Sequence, residues 1–162
     1  MTGKARKKRL IILDDDMTVC DVLLKRFRGA CSTQIEAYAL HEPVAVPGFD
    51  IYVVDNNFGG KQEGIRLAEA IAKVSPGAAI LMLSSQLEVG LLKRAIGLKV
   101  VGAFDKCEPS DVTTLVETVA QLVRHWPQSQ PGRGSIVRDL ATLIREWNER
   151  MSNEEARRRL AS

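Results

Sequence analysis

Five short apolar runs punctuate the first 125 residues of the chain: Leu10 to Leu13, Thr33 to Tyr38, Ile51 to Val54, Ala79 to Leu83 and Val100 to Phe104. Between most of them, apolar residues recur every three or four positions. Val19, Val22, Leu23 and Phe27 do so before Gly29, a residue suited to close a helix; Ile65, Leu67, Ala68 and Ile71 do so before "SPG"; Leu87, Leu91, Leu92, Ala95 and Ile96 do so before Gly97. Ser110 to Arg124 carries Val112, Leu115, Val116, Val119 and Leu122 on one side of a last helix. Strands that are apolar throughout have both faces covered, so the pattern predicts an α/β fold, a doubly wound parallel sheet of five strands. One link departs from the rhythm. "ALHEPVAVPGF" places two prolines where the second crossover helix belongs, so that helix is expected to be short or irregular.

The runs end on polar groups. The first stops at "LDDD", the third at "VVD", the fourth at "LMLSS" and the fifth at "AFDK". In an open α/β sheet the ligand site lies outside the carboxyl ends of the strands, at the point where the strand order reverses, so Asp14, Asp15, Asp55, Ser84 and Lys106 are expected to converge at one edge. Any one acid in such a place reads as well as a helix cap or turn residue. Five together exceed what capping requires. Clustered carboxylates repel one another unless a cation neutralises them, and a hard divalent ion such as Mg²⁺ suits oxygen ligands and bridges to phosphate. A carboxylate between that ion and the Lys106 ammonium is placed as a nucleophile toward phosphorus, with Ser84 as donor to a phosphoryl oxygen.

Composition narrows the setting. At 162 residues and 45% hydrophobic content the chain suffices for one well-buried domain with a short appendage. No apolar run approaches the roughly 18 residues of a membrane span, and the basic N-terminus lacks a signal core, so a soluble, cytoplasmic protein is expected. Cys20, Cys31 and Cys107 are odd in number and lack CxxC spacing, which favours reduced thiols over disulfides or zinc. The net charge of +3, from 23 basic and 20 acidic residues, points away from nucleic acid as a partner.

The segment from about Arg9 to Arg124, roughly three quarters of the chain, resembles the CheY-like receiver domains of two-component response regulators through "LIILDDD", "FDIYVVD", "AILMLSS" and "GAFDK". The resemblance implies a flavodoxin-like sheet of order 2-1-3-4-5, with Asp55 as phosphoacceptor and Ser84 and Lys106 as its catalytic companions. It also implies Mg²⁺ held by Asp14, Asp15, Asp55 and the main-chain carbonyl of Asn57. Asp16 offers a rival register for the acidic pair; Asp14 and Asp15 are preferred because Val19, Val22 and Leu23 then take the family's core positions in the first helix. The implied activity is phosphoryl uptake from a histidine kinase or phosphotransfer protein, with at most self-phosphorylation and autodephosphorylation as enzymatic steps. The implied output is a switched contact with a downstream protein. The alternative is a phosphorylation-independent interaction or dimerisation module with a degenerate site.

Departures from the family pattern surround the site. Cys107 stands where proline usually follows the lysine, which leaves a cis bond there open, since such a bond before a non-proline residue costs about 2.5 to 4 kcal/mol. Ala103 replaces the aromatic expected three residues before Lys106, with Phe104 one place later; Ser84 and Ser85 replace the commoner threonine and alanine; and "DNNFGGKQEG" is one residue longer than the usual acceptor loop. A haloacid dehalogenase type of phosphatase needs a second aspartate where Asn57 stands, and an amide cannot exchange a proton as a carboxyl does. No GxxxxGK[ST] or GxGxxG follows the first strand.

This reading divides the chain into a basic tail (1–8), a receiver domain (9–125), a linker (126–135) and an amphipathic helical extension (136–162). In the extension Ile136, Leu140, Leu143 and Trp147 form a narrow apolar seam behind Ser135. The seam either packs back on the receiver or joins a partner, including a second copy through the helix 136–151. It is too short for a winged helix or helix-turn-helix. His41 and His125 are expected at the surface or in caps, away from phosphotransfer.

Overall fold

The computed structural model describes residues 6–98 and 100–126. β1 (Lys8–Leu13), β2 (Ile35–Leu40) and β3 (Ile51–Asp55) are followed by a small hairpin, β4 (Asn57–Phe58) and β5 (Lys61–Gln62), and then by β6 (Ala79–Ser84) and β7 (Gly102–Asp105). The helices are α1 (Met17–Cys31), α2 (Gly64–Val74), α3 (Val89–Gly97) and α4 (Pro109–Arg124), with one 3₁₀ turn at Ser32–Gln34. The main sheet is parallel throughout and runs β2-β1-β3-β6-β7, which is the order 2-1-3-4-5 once the hairpin is set aside. Linker residues 127–135, the amphipathic seam and the Ser135 cap lie outside the described residues, while Trp126 packs against the α1 and α4 layer.

Successive residues of each strand serve opposite layers, as the pleat requires. Leu10, Ile12, Ile51, Val53, Leu81 and Leu83 pack with Leu23 and Phe27 of α1 and Leu115 and Val119 of α4. Ile11, Leu13, Tyr52, Val54, Ile80 and Met82 pack with Leu67, Ala68 and Ile71 of α2 and Leu91 and Ala95 of α3. The result is three layers with the sheet buried between two pairs of helices.

Several local expectations need correction. Gly29 does not end the first helix, which continues to Cys31 and closes at Ser32 with φ 51°, its amide donating to Arg28 O. Val22 is exposed, so the core stripe of α1 is Cys20, Leu23, Phe27 and Cys31; the α4 layer is reached by one face only, and Val22 lies off it. The second strand begins at Ile35 because Ser32–Gln34 is spent on the 3₁₀ turn. Among residues 41–50 there is no helix at all. This proline-bearing link is fastened instead by Tyr52, whose buried hydroxyl donates to Val46 O at 2.6 Å and lies 2.8 Å from Ser75 Oγ. Asp50 accepts from the Arg9 amide at 2.8 Å, and Arg9 Nη1 donates to Gly48 O at 2.8 Å.

Gly64 opens α2 at a close approach. A Cβ there would lie 2.6 Å from Asn56 Cα and 2.7 Å from Met82 Cε, whereas one at Gly77 would meet nothing within 4 Å. Gly64→Ala therefore forces the Asn56 backbone away from α2, and a loss of about 1–3 kcal/mol is expected. Gly77→Ala is expected to change stability by less than about 0.5 kcal/mol. Urea denaturation of the two variants checks the contrast, and equal midpoints would contradict the packing argument.

Candidate functional site

β1 and β3 are neighbours, and the chain leaves them toward opposite sides, β2 flanking one and β6 the other. Their carboxyl ends therefore bound the crevice of the fold. β1 carries Asp14 and Asp15 just past its last residue, and β3 ends on Asp55 itself. Asp14 and Asp55 are buried and Asp15 is exposed. Carboxylate oxygens of the three lie within 4.8 Å of one another.

Lys106 reaches this cluster from the end of β7. Its Nζ stands 3.0 Å from Asp55 Oδ2 and 3.2 Å from Asp14 Oδ2. Asp14 Oδ1 also accepts from the Asp16 amide at 2.9 Å. The Asp55 oxygens, by contrast, have no well-formed hydrogen bond. Burial, and next the neighbouring Asp14, push the Asp55 carboxyl up to about 6 against the pull of Lys106. Burial also raises Asp14, opposed by the Asp16 amide and Lys106. For Lys106, burial acts downward, but Asp55 and Asp14 outweigh it and hold the ammonium above its ordinary range.

The rival register for the acidic pair resolves locally. Asp16 is the N-cap of α1, its Oδ1 accepting from Thr18 N at 2.9 Å and Val19 N at 3.1 Å. Its carboxylate is thereby occupied with the helix start, while Asp14 and Asp15 belong to the cluster. Asn57 and Ser85 line the same depression as Asp15, Asp55 and Lys106. Ser84 is buried at the end of β6, and its hydroxyl donates to Gln86 O at 2.8 Å. The Lys106–Cys107 bond is trans. Phe104 packs in the α1 and α4 layer and Ala103 in the other, so the layer of α2 and α3 has no aromatic from β7.

Two features escaped the residue pattern. His41 is brought to the back of the acidic loop, with Nδ1 3.1 Å from Asp14 O and 3.8 Å from Cys20 Sγ. Its distance in sequence concealed this. The β4–β5 hairpin was also missed, although "FGGK" carries the glycine pair that marks a two-residue turn. Gly59 and Gly60 have φ of 57° and 81°. The hairpin turn reaches back to the site, where the Gly59 amide donates to Asp15 Oδ2 at 2.7 Å.

Two buried carboxylates and one exposed one on one edge, the buried pair sharing a single ammonium, fit a divalent cation with oxygen ligands. Buried Cys20, pushed up to about 12 chiefly by burial, is no nucleophile.

The arrangement is the fold of response-regulator receiver domains. A CheY-like response regulator receiver domain protein from Methanospirillum hungatei JF-1 superposes with a TM-score of 0.61 at 17% identity, covering 74% of this chain and 95% of that one. The isolated REC domain of RcsB from Salmonella enterica serovar Typhimurium, solved with phosphomimetic BeF3⁻, gives 0.61 at 18% identity over 74% of this chain and 91% of that one. A response regulator from Burkholderia pseudomallei, solved with a phosphorylated aspartic acid, a calcium ion and citrate, gives 0.57 at 18% identity over 74% and 71%. No family model matches the sequence, and no curated protein matches it. Among the described residues no helix is long and apolar enough to cross a membrane.

Proposed function

We propose that the chain is a cytoplasmic receiver that takes a phosphoryl group onto Asp55 from a histidine kinase or phosphotransfer protein and so switches its contact with a downstream protein. The observation that carries this reading is the buried Asp55 carboxylate, 3.0 Å from Lys106 Nζ, with carboxylate oxygens of Asp14 and Asp15 within 4.8 Å of its own. Asp14, Asp15, Asp55 and the main-chain carbonyl of Asn57 would hold Mg²⁺, which when bound offsets negative charge on phosphoryl oxygens.

In the transfer an Asp55 oxygen forms the new bond to phosphorus as the phosphorus–nitrogen bond of a phosphohistidine breaks, and the electron pair leaves with the imidazole. Lys106 remains beside the acceptor and stabilises the developing charge. The Ser84 hydroxyl, given to Gln86 O at rest, follows Leu83, the β6 residue paired with Asp55, and would turn toward the added group by rotation about its χ1. Phosphorylation adds about −1.5 to −2 charge, which an ordinary surface salt bridge cannot cancel and a loop or partner must accommodate.

Fluoroberyllate tests the reading. Wild type is expected to bind it only with Mg²⁺ present, seen as a rise in melting temperature, and Asp55→Asn is expected to show no such rise. Light scattering on the same samples reports any change in mass and so assigns the output to self-association or to another partner. Mg²⁺ binding without fluoroberyllate binding would instead mark a degenerate site on a phosphorylation-independent interaction module.

A further inference from the structure

The three acids of the cluster are not held alike. Asp14 and Asp55 are buried, continue β1 and β3, and share the Lys106 ammonium. Asp15 is exposed and stands one residue further from the end of β1. Beside two buried acids, electrostatic repulsion favours its swinging out toward solvent. What opposes this is a charge-assisted hydrogen bond of 2.7 Å from the Gly59 amide to Asp15 Oδ2, made across 44 residues of chain.

The amide is presented by a rigid device. Asn57 pairs with Gln62 and Phe58 with Lys61, and the two-residue turn between them has positive φ at both Gly59 and Gly60, as a type I′ turn requires. Phe58, next to the turn, is buried in the α2 and α3 layer and anchors the hairpin. A Cβ at Gly59 would meet nothing within 4 Å, so the position is constrained by backbone conformation and not by space.

We propose that the Asn57–Gln62 hairpin is a positioning element for the metal site, with the Gly59 amide holding the Asp15 carboxylate where it and the two buried acids bind one divalent cation. The proposal rests on the reading of the cluster as a Mg²⁺ site. Gly59 acts through Asp15 and touches no reacting atom. One oxygen of Asp15 is given to the hairpin and the other is left for the ion. Partners that orient a ligand typically govern metal affinity about 10- to 100-fold.

Gly59→Val and Gly59→Asn separate conformation from bulk, since a β-branched residue resists φ near 57° and asparagine tolerates it. The full chain is titrated with Mg²⁺ alone, by calorimetry and by melting temperature, and its metal-free melt reports whether the variant is folded. Gly59→Val is expected to weaken Mg²⁺ binding about tenfold or more, and Gly59→Asn to recover most of that loss. In an Asp15→Ala background Gly59→Val is expected to add nothing further. Gly59→Ala, a milder change, serves should the valine variant not fold, with a smaller loss expected in the same direction. Wild-type affinity in Gly59→Val, equal losses in the valine and asparagine variants, or a full additional loss on top of Asp15→Ala would each overturn the proposal while leaving the phosphoacceptor reading intact. Absence of Mg²⁺ binding in wild type would overturn both.

Discussion

Replacing Asp55 by asparagine is expected to stabilise the metal-free protein at pH 8 by about 1–3 kcal/mol and to raise its melting temperature by about 3–10 °C. The carboxyl is almost wholly buried, and burial together with Asp14 lifts it from 3.8 to about 6. At about 1.4 kcal/mol per tenfold change in proton affinity, that difference corresponds to about 3 kcal/mol. The folded protein binds the proton more tightly than the unfolded chain does. Asp55 therefore contributes this stability fully below about pH 4 and loses it as the pH rises through 6. Asparagine has the shape of the neutral acid and never ionises, so its advantage is largest at pH 8, shrinks below 6 and vanishes near 4. Urea denaturation at pH 8 and pH 4.5, in chelator, measures this directly. A variant less stable than wild type at pH 8, or an advantage that does not vary with pH, would show that Lys106 already neutralises the acceptor in full.

Lys106→Met is expected to act in the opposite sense, costing about 2–4 kcal/mol at pH 8. Its Nζ lies within 3.2 Å of both buried carboxylates, and its removal leaves them facing each other with no cation of the protein between them. The cost is bounded because Asp55 can take up a proton, and for the same reason it is expected to shrink at pH 5. In an Asp55→Asn background only Asp14 remains to be stranded, so the same substitution is expected to cost about half as much. A double-mutant cycle by chemical denaturation reads the coupling. Strict additivity would mean that Lys106 stabilises the fold through its alkyl stem and not through its charge.

The proposed Mg²⁺ site rests on the same electrostatics. A protein that keeps two buried acids and one exposed acid around a single lysine holds more negative charge than it can offset by itself. Under the proposed function, that excess charge is what would favour binding of a divalent cation at the site.

The sheet and its polar edge were legible because strands buried on both faces must be apolar throughout and must end where polar groups begin. "LIILDDD", "FDIYVVD", "AILMLSS" and "GAFDK" declare both facts in the residues themselves. The same logic located Asp14, Asp15, Asp55, Ser84 and Lys106 at one edge, since parallel strands bring their carboxyl ends together wherever the intervening helices run. The prolines of residues 43 and 47 pointed to a short or irregular helix in the crossover, because a missing amide and a fixed φ act locally, and the link proved to have no helix at all.

What the residues left undecided depended on partners far away in the chain. Asp16 is the exception, settled close by when its carboxylate takes the amides of Thr18 and Val19; whether Val22 faced the core turned on which face of α1 the sheet covered. His41 meets the carbonyl of Asp14 across 27 residues, and Gly59 meets the carboxylate of Asp15 across 44, contacts that no local pattern encodes. Periodicity and chain chemistry are properties of neighbours in sequence, so the apolar and acidic pattern by itself determined the layers and the edge. Hydrogen bonds between distant loops exist only once those layers are packed, so the tertiary structure alone decided which acids are buried and which is held in place by a glycine turn.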